Sequence, residues 1–339
     1  MEPITHAVTS LAIARAAQRH LPRYGTAMLV ISGVAADLDY ASYLAGPSSF
    51  LRFNRTLLHS LPASAVLAAG VAAAFCSIDR KRRLKDSEPP LRFGPAAATC
   101  AAGCSGHVLL DLSSGVGVRL LWPFREGWSA WYLAASFDPW ILILLVAGLL
   151  LPLLFSLVSE EIGDRKKGAR GRGGAIVALA LVAVYLGTRA NLHSRAVDLL
   201  LSREYHGRVA LDAGAFPSAS APFVWSGVVS TDNTIEEMDI SLAPGAEFDP
   251  DRSLTRYKPE DSPALEAGQK SPAAKKFLEY ARFPLANIIH VEEAYRFEVH
   301  DARFPSSDTS PENIFVRVDL TGDLKVKREL FLFGSNPNP

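Results

Sequence analysis

The amino-acid sequence predicts an α-helical membrane domain of about five to six segments followed by a small β-rich (α+β) extracytoplasmic domain. Three observations predict this. Hydrophobic residues make up 49% of the 339-residue chain, and they gather in the first 190 positions as runs close to the ~20 residues that cross a bilayer. From residue 203 onward the apolar residues instead alternate with polar ones, the period of β-strands. Basic residues crowd two of the connections between apolar runs, a charge asymmetry expected of a multi-span protein. The division places a multi-span membrane domain over 1–195 and a β-rich extracytoplasmic domain over 196–339.

In chain order, residues 4–22 form a short apolar stretch with Arg15, Gln18 and Arg19 at its far end. Residues 26–45 are apolar apart from Asp37 and Asp39. Each of these two is either a full span or a re-entrant helix lining a protein cavity. Clear spans follow near 57–78, 95–116, 137–158 and 174–190. The opening stretch, with Glu2 and His6 and no basic n-region, makes a poor cleavable signal peptide and is expected to stay on the protein. Cys76, Cys100 and Cys104 all fall inside apolar runs, where small buried thiols pack, and they form no disulfide framework.

Orientation follows from the basic loops. Residues 79–92 carry Arg80, Lys81, Arg82, Arg83, Lys85 and Arg92, and residues 159–173 carry Arg165, Lys166, Lys167, Arg170 and Arg172. The positive-inside rule makes both cytoplasmic. The loop 117–136 between them is then outside, and Trp122, Trp128, Trp131 and Tyr132, with Trp140 just beyond, suit an interfacial aromatic belt. Carried along the chain, this topology sends everything after residue 190 outside and makes the protein a multi-pass membrane protein. The 35 basic and 35 acidic residues cancel, so no global field argues for a nucleic-acid partner.

The same topology puts a set of costly residues at one depth. His6, Asp37, Asp39, His59, His107 and Asp111 all fall toward the outer ends of their segments, with Asp138 at the outer start of the fifth. Acids and histidines inside a membrane mark functional sites by default, and these side chains bind divalent metals. His107 and Asp111 are four apart and share a helix face. Asp37 and Asp39 are two apart, which a regular helix would point in nearly opposite directions; Gly33 before them helps the chain leave regular geometry, so that both can face inward. His59 precedes Ser60 and Pro62, as in a first helical turn at a site wall. Any one of these residues alone suits interfacial packing or a cap, but together they supply nitrogen and oxygen ligands for one or two divalent ions: zinc first, with manganese and iron compatible. His20, His193, His206, His290 and His300 lack such company and read as surface or structural residues.

The stretches "PITHAVTSLA", "GVAADLDY", "NRTLLHS" and "GHVLLDL" resemble the YdjM-type family of predicted membrane-bound metal-dependent hydrolases, and "FPSASAPFVWSGVV" with "YARFP" is similar to the tail of its long-chain subgroup with a C-terminal soluble domain. The resemblance implies an inner-membrane protein with a hydrolase-type metal centre, and His6, Asp37, Asp39, His59, His107 and Asp111 match the family's polar positions. Asn54 departs from the pattern, standing where the family usually has a histidine, and Leu58 stands where it has a threonine. An asparagine carbonyl is the weaker ligand, which bears on a second metal.

In the C-terminal part, "RVALDAG", "FVWSGVVST", "EEMDISL", "YRFEVHDARF", "NIFVRVDL" and "KVKRELFLFG" read as strands, and "LTGDLK" as a hairpin turn. Residues 244–272, rich in Pro, Ser and charge, read as a loop, and 272–282 as one short helix. Phe223 and Trp225 either cover the polar site or fill the domain's own core.

The functional expectation is metal-dependent hydrolysis. A metal with an open position lowers the pKa of bound water, and Asp37 or Asp39 is placed to act as general base. A site at the outer interface suits a membrane lipid or lipid-linked substrate, with a phosphoester more natural than a carboxylic ester because metal ions offset phosphoryl charge. No Gly-x-Ser-x-Gly motif offers a rival nucleophile. The alternative is a non-catalytic transporter or envelope scaffold that uses the cluster to bind ions; a conduction path needs polar groups through the full thickness, whereas these sit at one level.

Overall fold

The computed structural model describes residues 1–82, 89–161, 171–304, 308 and 310–334. Arg83, Lys85, Arg165, Lys166, Lys167 and Arg170, which carry part of the orientation argument, lie outside the described residues. The chain divides into two compact units: Met1–Asp39 with Arg55–Ala190, and Tyr40–Asn54 with Asn191–Pro339.

The helices are α1 (Pro3–Ala17), α2 (Gly25–Val34), which runs on into a 3-10 segment (Ala35–Ala45), α3 (Pro47–Phe53), α4 (Leu61–Arg82), α5 (Phe93–Ser113), α6 (Pro139–Glu161) and α7 (Arg172–Leu201). Among the described residues, Gly25–Ala45, Leu61–Arg82 and Arg172–Leu201 are long and apolar enough to cross a membrane, and Pro139–Pro152 is a shorter apolar helix. The helical part thus carries up to three candidate spans by length and composition. The 15-residue α1 is short for a span. Proline sits in the first turn of α1, α3, α4 and α6, where its missing N–H costs nothing.

Small residues let α1, α2 and α5 approach closely. A Cβ on Gly103 would stand 2.6 Å from Leu29 O and collide with Ser32, and one on Gly33 would collide with Ser10. Glycine at both positions therefore sets the helix separation, and it does so one turn before His107. Cys76, Cys100 and Cys104 pack with Met28, Ala68, Ala72 and Ala96 in a buried cluster; all three are free thiols, as their apolar surroundings predict.

The second unit contains a small hairpin and two four-stranded antiparallel sheets. The hairpin pairs β1 (Glu204–Tyr205) with β2 (Arg208–Val209). One sheet takes β3 (Asp212–Pro217), β4 (Val224–Ser230), β5 (Thr234–Ser241) and β6 (Leu254–Tyr257) in sequence order. After α8 (Pro263–Lys270) and α9 (Pro272–Leu278), the other sheet takes β7 (Pro284–Val291), β8 (Ala294–Asp301), β9 (Ile314–Leu320) and β10 (Val326–Phe333), again between sequence neighbours. Every hairpin joins adjacent strands, so the topology is a pair of meanders. Trp225 is fully buried with Leu192, Ala196, Leu200, Tyr205 and Ile240 and fills the core of its own unit.

Residues 244–272 are not a loop. They hold a 3-10 turn at Pro250–Arg252, the strand β6 and the helix α8. Ser262 and Pro263 look like loop residues by composition, but Ser262 is an N-cap whose hydroxyl accepts from Leu265 N at 3.2 Å, with proline at the first helical position. Ser271 repeats the device for α9, accepting from Ala274 N. Strand β7, which the alternation in the sequence did not single out, is an edge strand with most of its residues at least partly exposed.

The segment 40–54 is separated in sequence from the rest of its unit. Its aromatic side chains pack with β10: Tyr43 and Phe50 lie 4.8 and 5.9 Å, centroid to centroid, from Phe333. Lys276 Nζ donates to Ser48 O at 3.4 Å.

Asp301 anchors the second sheet. Fully buried, it accepts from Arg282 N, Phe283 N and Arg303 N at 2.8, 3.2 and 3.0 Å, and from Arg303 Nε at 2.8 Å. Removing one partner of a buried ion pair leaves the other charge uncompensated, which costs about 3–5 kcal/mol. Asp301→Ala is therefore expected to lower the unfolding free energy read from the β signal of the full chain in detergent by that amount, and a change under about 1 kcal/mol would contradict the anchoring role.

Candidate metal centre

Four stretches of the first unit bring the expected residues together. Helix α5 carries His107 and Asp111 on one face, the 3-10 segment carries Asp37 and Asp39, the turn before α4 carries His59, and α1 carries His6. All are buried except Asp37, which is half-buried. His6, His107 and Asp111 form one group whose ligand atoms lie within 4.8 Å of one another, and Asp37, His59 and His107 form a second. Such groups can hold a metal ion.

The tautomers follow from the partners. His107 Nδ1 lies 2.8 Å from Gly33 O; a carbonyl only accepts, so Nδ1 carries the proton and Nε2 is bare in the neutral ring. His59 Nδ1 lies 2.9 Å from Asp39 Oδ2, and in the tautomer that donates this bond its Nε2 is bare. The two Nε2 atoms face each other at 2.9 Å. Asp111 Oδ2 stands 2.9 Å from His59 Nε2 and 3.3 Å from His107 Nε2. Three lone-pair atoms thus converge, an arrangement that repels itself unless a cation or a proton lies among them. Tetrahedral zinc with bonds near 2.0–2.1 Å would hold its ligands about 3.3 Å apart, close to the separations here.

Unpaired atoms around this point fit the same reading. Both ring nitrogens of His6, Asp37 Oδ2 and Asp39 Oδ1 are buried without a hydrogen-bond partner. Asp37 Oδ1 is 3.8 Å from His107 Nε2, and His6 Nε2 is 3.5 Å from Asp111 Oδ1. The His6 ring stacks on that of His107, centroids 3.8 Å apart. The Met1 ammonium lies against Asp111 Oδ1. The donor set, neutral imidazoles with carboxylates, suits zinc, manganese or iron.

Asp39 has a different position from the one its sequence context implied. Its Oδ2 accepts from His59 and from Arg55 N, both at 2.9 Å, so it stands behind His59 as the carboxylate that fixes ring orientation. Asp138, at the start of α6, caps that helix by accepting from Trp140 N and Ile141 N and receives the Tyr185 hydroxyl at 3.1 Å; it joins neither ligand group. Asn54 is buried, and its backbone N–H ends α3 on Phe50 O; it belongs to the second unit.

Arg55 is the residue that sequence reasoning missed. It is buried, with a left-handed φ of 55°. Its backbone N–H holds Asp39, its Nη1 donates to Ser114 Oγ at 2.8 Å, and the same nitrogen is 3.4 Å from Asp111 Oδ1. The available signal was a charged residue at the head of an apolar run. Outside the cluster the chemistry reverses: Ile4, Leu38, Leu57, Leu61 and Leu109, each within two residues of a site residue, are exposed, Leu38 at 70%. Polar groups point in and apolar ones out, as in a membrane interior.

Residues 1–196 match the family model described as YdjM inner membrane protein. The match covers more than half of the chain, and the chain belongs to that family. No curated protein and no solved structure matches it.

The geometry separates two kinds of variant. In a zinc titration of the detergent-purified chain, His107→Ala is expected to abolish tight binding, whereas Asp39→Asn, which alters the partner of His59 Nδ1 and of Arg55 N, weakens it about 10–100-fold. Equal losses in both would make Asp39 a direct ligand.

Proposed function

We propose that this chain is a membrane-bound metal-dependent hydrolase whose centre faces the outer leaflet of the inner membrane and cleaves a phosphoester of a lipid or lipid-linked substrate. The observation that carries the proposal is the convergence of His59 Nε2, His107 Nε2 and Asp111 Oδ2 beside an unpartnered acid oxygen, Asp37 Oδ2. In this reading His59, His107 and Asp111 hold the ion, with His6 beside them, and zinc is the first choice among zinc, manganese and iron. A divalent ion bound there acidifies water and offsets charge on a phosphoryl group.

The residues supply the rest. Asp39 and Gly33 O keep the two imidazoles turned toward the centre. Asp37 takes the proton of the attacking water as its oxygen bonds to phosphorus. The P–O bond to the alcohol breaks, and the departing alkoxide takes the proton back from Asp37. A phosphomonoester and water thus give an alcohol and phosphate, with Asp37 restored. The apolar exterior formed by Leu38, Leu57, Leu61 and Leu109 supports a substrate that arrives laterally from the bilayer, its chain in hydrocarbon and its head group at the cluster. The multi-pass arrangement of five to six segments, with the β-rich part outside, belongs to the same reading.

Two measurements test it. Lipid-linked phosphates presented in detergent are expected to release phosphate, and phospholipids their head group, in a chelator-sensitive way, and Asp37→Ala is expected to cut turnover by about 10²–10⁴, the usual worth of a general base. Turnover unchanged in Asp37→Ala and His107→Ala would favour an ion-binding scaffold. A reporter fused after residue 205 is expected to be extracytoplasmic and one after residue 85 cytoplasmic; both on one side would overturn the topology.

A further inference from the structure

The two oxygens of Asp111 face different surroundings. Oδ2 meets the bare Nε2 atoms of His59 and His107 at 2.9 and 3.3 Å. Oδ1 meets positive charge: the Arg55 guanidinium at 3.4 Å and the Met1 ammonium, with His6 Nε2 at 3.5 Å. In two-metal hydrolases the ions lie ~3.5–4 Å apart and clamp both the attacking and the leaving oxygen, and a carboxylate with an oxygen turned each way is the natural bridge between them. Here one side of that bridge carries convergent lone pairs and the other a fixed cation.

We propose that the centre takes a single divalent ion, on the Oδ2 side of Asp111, and that the Arg55 guanidinium fills the second cation position, on the Oδ1 side. The inference rests on the metal-dependent reading above and sets its metal count. A second ion bonded to Oδ1 at ~2.0–2.2 Å would lie no more than about 5.6 Å from Arg55 Nη1. A guanidinium cannot give up its proton to relieve that repulsion, and Ser114 Oγ ties Nη1 in place at 2.8 Å. On that side His6 Nε2, 3.5 Å from Asp111 Oδ1, is the neighbouring ligand, and His107 turns its Nε2 to the Oδ2 side at 3.3 Å.

Charge balance points the same way. The cluster holds three carboxylates, Asp37, Asp39 and Asp111. With all three ionised, one divalent ion and Arg55 cancel them, whereas a second ion leaves two uncompensated positive charges in a core whose outer surface is leucine and isoleucine. The Met1 ammonium adds to the positive side in either case. The guanidinium also offers planar donors suited to phosphoryl oxygens, so one ion and one arginine give the reacting phosphate two adjacent positive groups.

Metal stoichiometry tests this without any substrate. The full chain in mild detergent, loaded with zinc alone and freed of excess, is expected to hold about one ion, and Arg55→Lys, which keeps the charge, also one. Arg55→Met, which removes it, is expected to admit a second ion, raising the ratio toward two. Should Arg55→Met fail to fold, manganese-loaded wild type serves instead: its electron paramagnetic resonance spectrum is expected to be that of an isolated ion. Two ions in wild type, an exchange-coupled manganese pair, or a ratio that stays at one in well-folded Arg55→Met would overturn the role given to Arg55. Wild type that binds no ion at all would overturn the metal-dependent reading and this inference with it.

Discussion

Two imidazoles whose Nδ1 protons are already committed must present bare Nε2 atoms, and the helical unit is arranged so that both face one point. The commitment of His107 is to Gly33 O and that of His59 to Asp39, so neither ring can turn its other nitrogen inward without losing a buried hydrogen bond. That loss is costly away from water, where no solvent replaces the missing partner. The contact between α2 and α5 through Gly33 and Gly103 sets the distance from the carbonyl to the His107 ring, and the change from α-helix to 3-10 helix after Val34 brings Asp39 behind His59. The site's chemistry is therefore fixed by backbone geometry one step removed from the ligands.

Charge partnering decides how such a cluster persists among apolar surroundings. Three acids close together would be prohibitive without compensation. Arg55 supplies a permanent cation from within the chain, holding one acid with its backbone and bordering another with its side chain. Its left-handed backbone is an uncommon conformation for a residue with a side chain and carries a cost of order 1–3 kcal/mol; the three anchoring contacts to Asp39, Ser114 and Arg119, whose N–H bonds Arg55 O at 3.1 Å, offset it.

Part of this could be read from the sequence because it depends on local spacing. His107 and Asp111 share a face by the rise of a helix, apolar runs mark the helical segments, and period-two alternation marks β4, β5, β8, β9 and β10. What escaped depends on tertiary placement. Arg55 looks like one more basic residue until its φ and burial are known. Asp39 is equivalent to Asp37 in the sequence, two positions along, yet Asp39 accepts from the His59 imidazole and from Arg55 N, while Asp37 stands 3.8 Å from His107 Nε2. Serine followed by proline before α8 reads as loop chemistry unless the helix it caps is already suspected. Nothing in a contiguous apolar segment announces that residues 40–54 pack with a strand near the far end of the chain.

That last feature concerns assembly in time. Tyr43 and Phe50 rest against Phe333, nearly three hundred residues downstream. At synthesis rates of ~5–20 residues per second, tens of seconds separate the emergence of the excursion from that of the strand that receives it. The helical unit meets the bilayer during that interval with both of these aromatic rings still unmatched, and closing so long a loop is the slow, high-contact-order kind of step. The roots of the excursion are Asp39 and Arg55, joined to each other by the hydrogen bond from Arg55 N to Asp39 Oδ2. The carboxylate behind His59 is thus tied to a segment whose own packing is among the last contacts the chain can make, so a membrane half made without its tail retains every residue of the polar cluster but not the partner of the loop that joins Asp39 to Arg55.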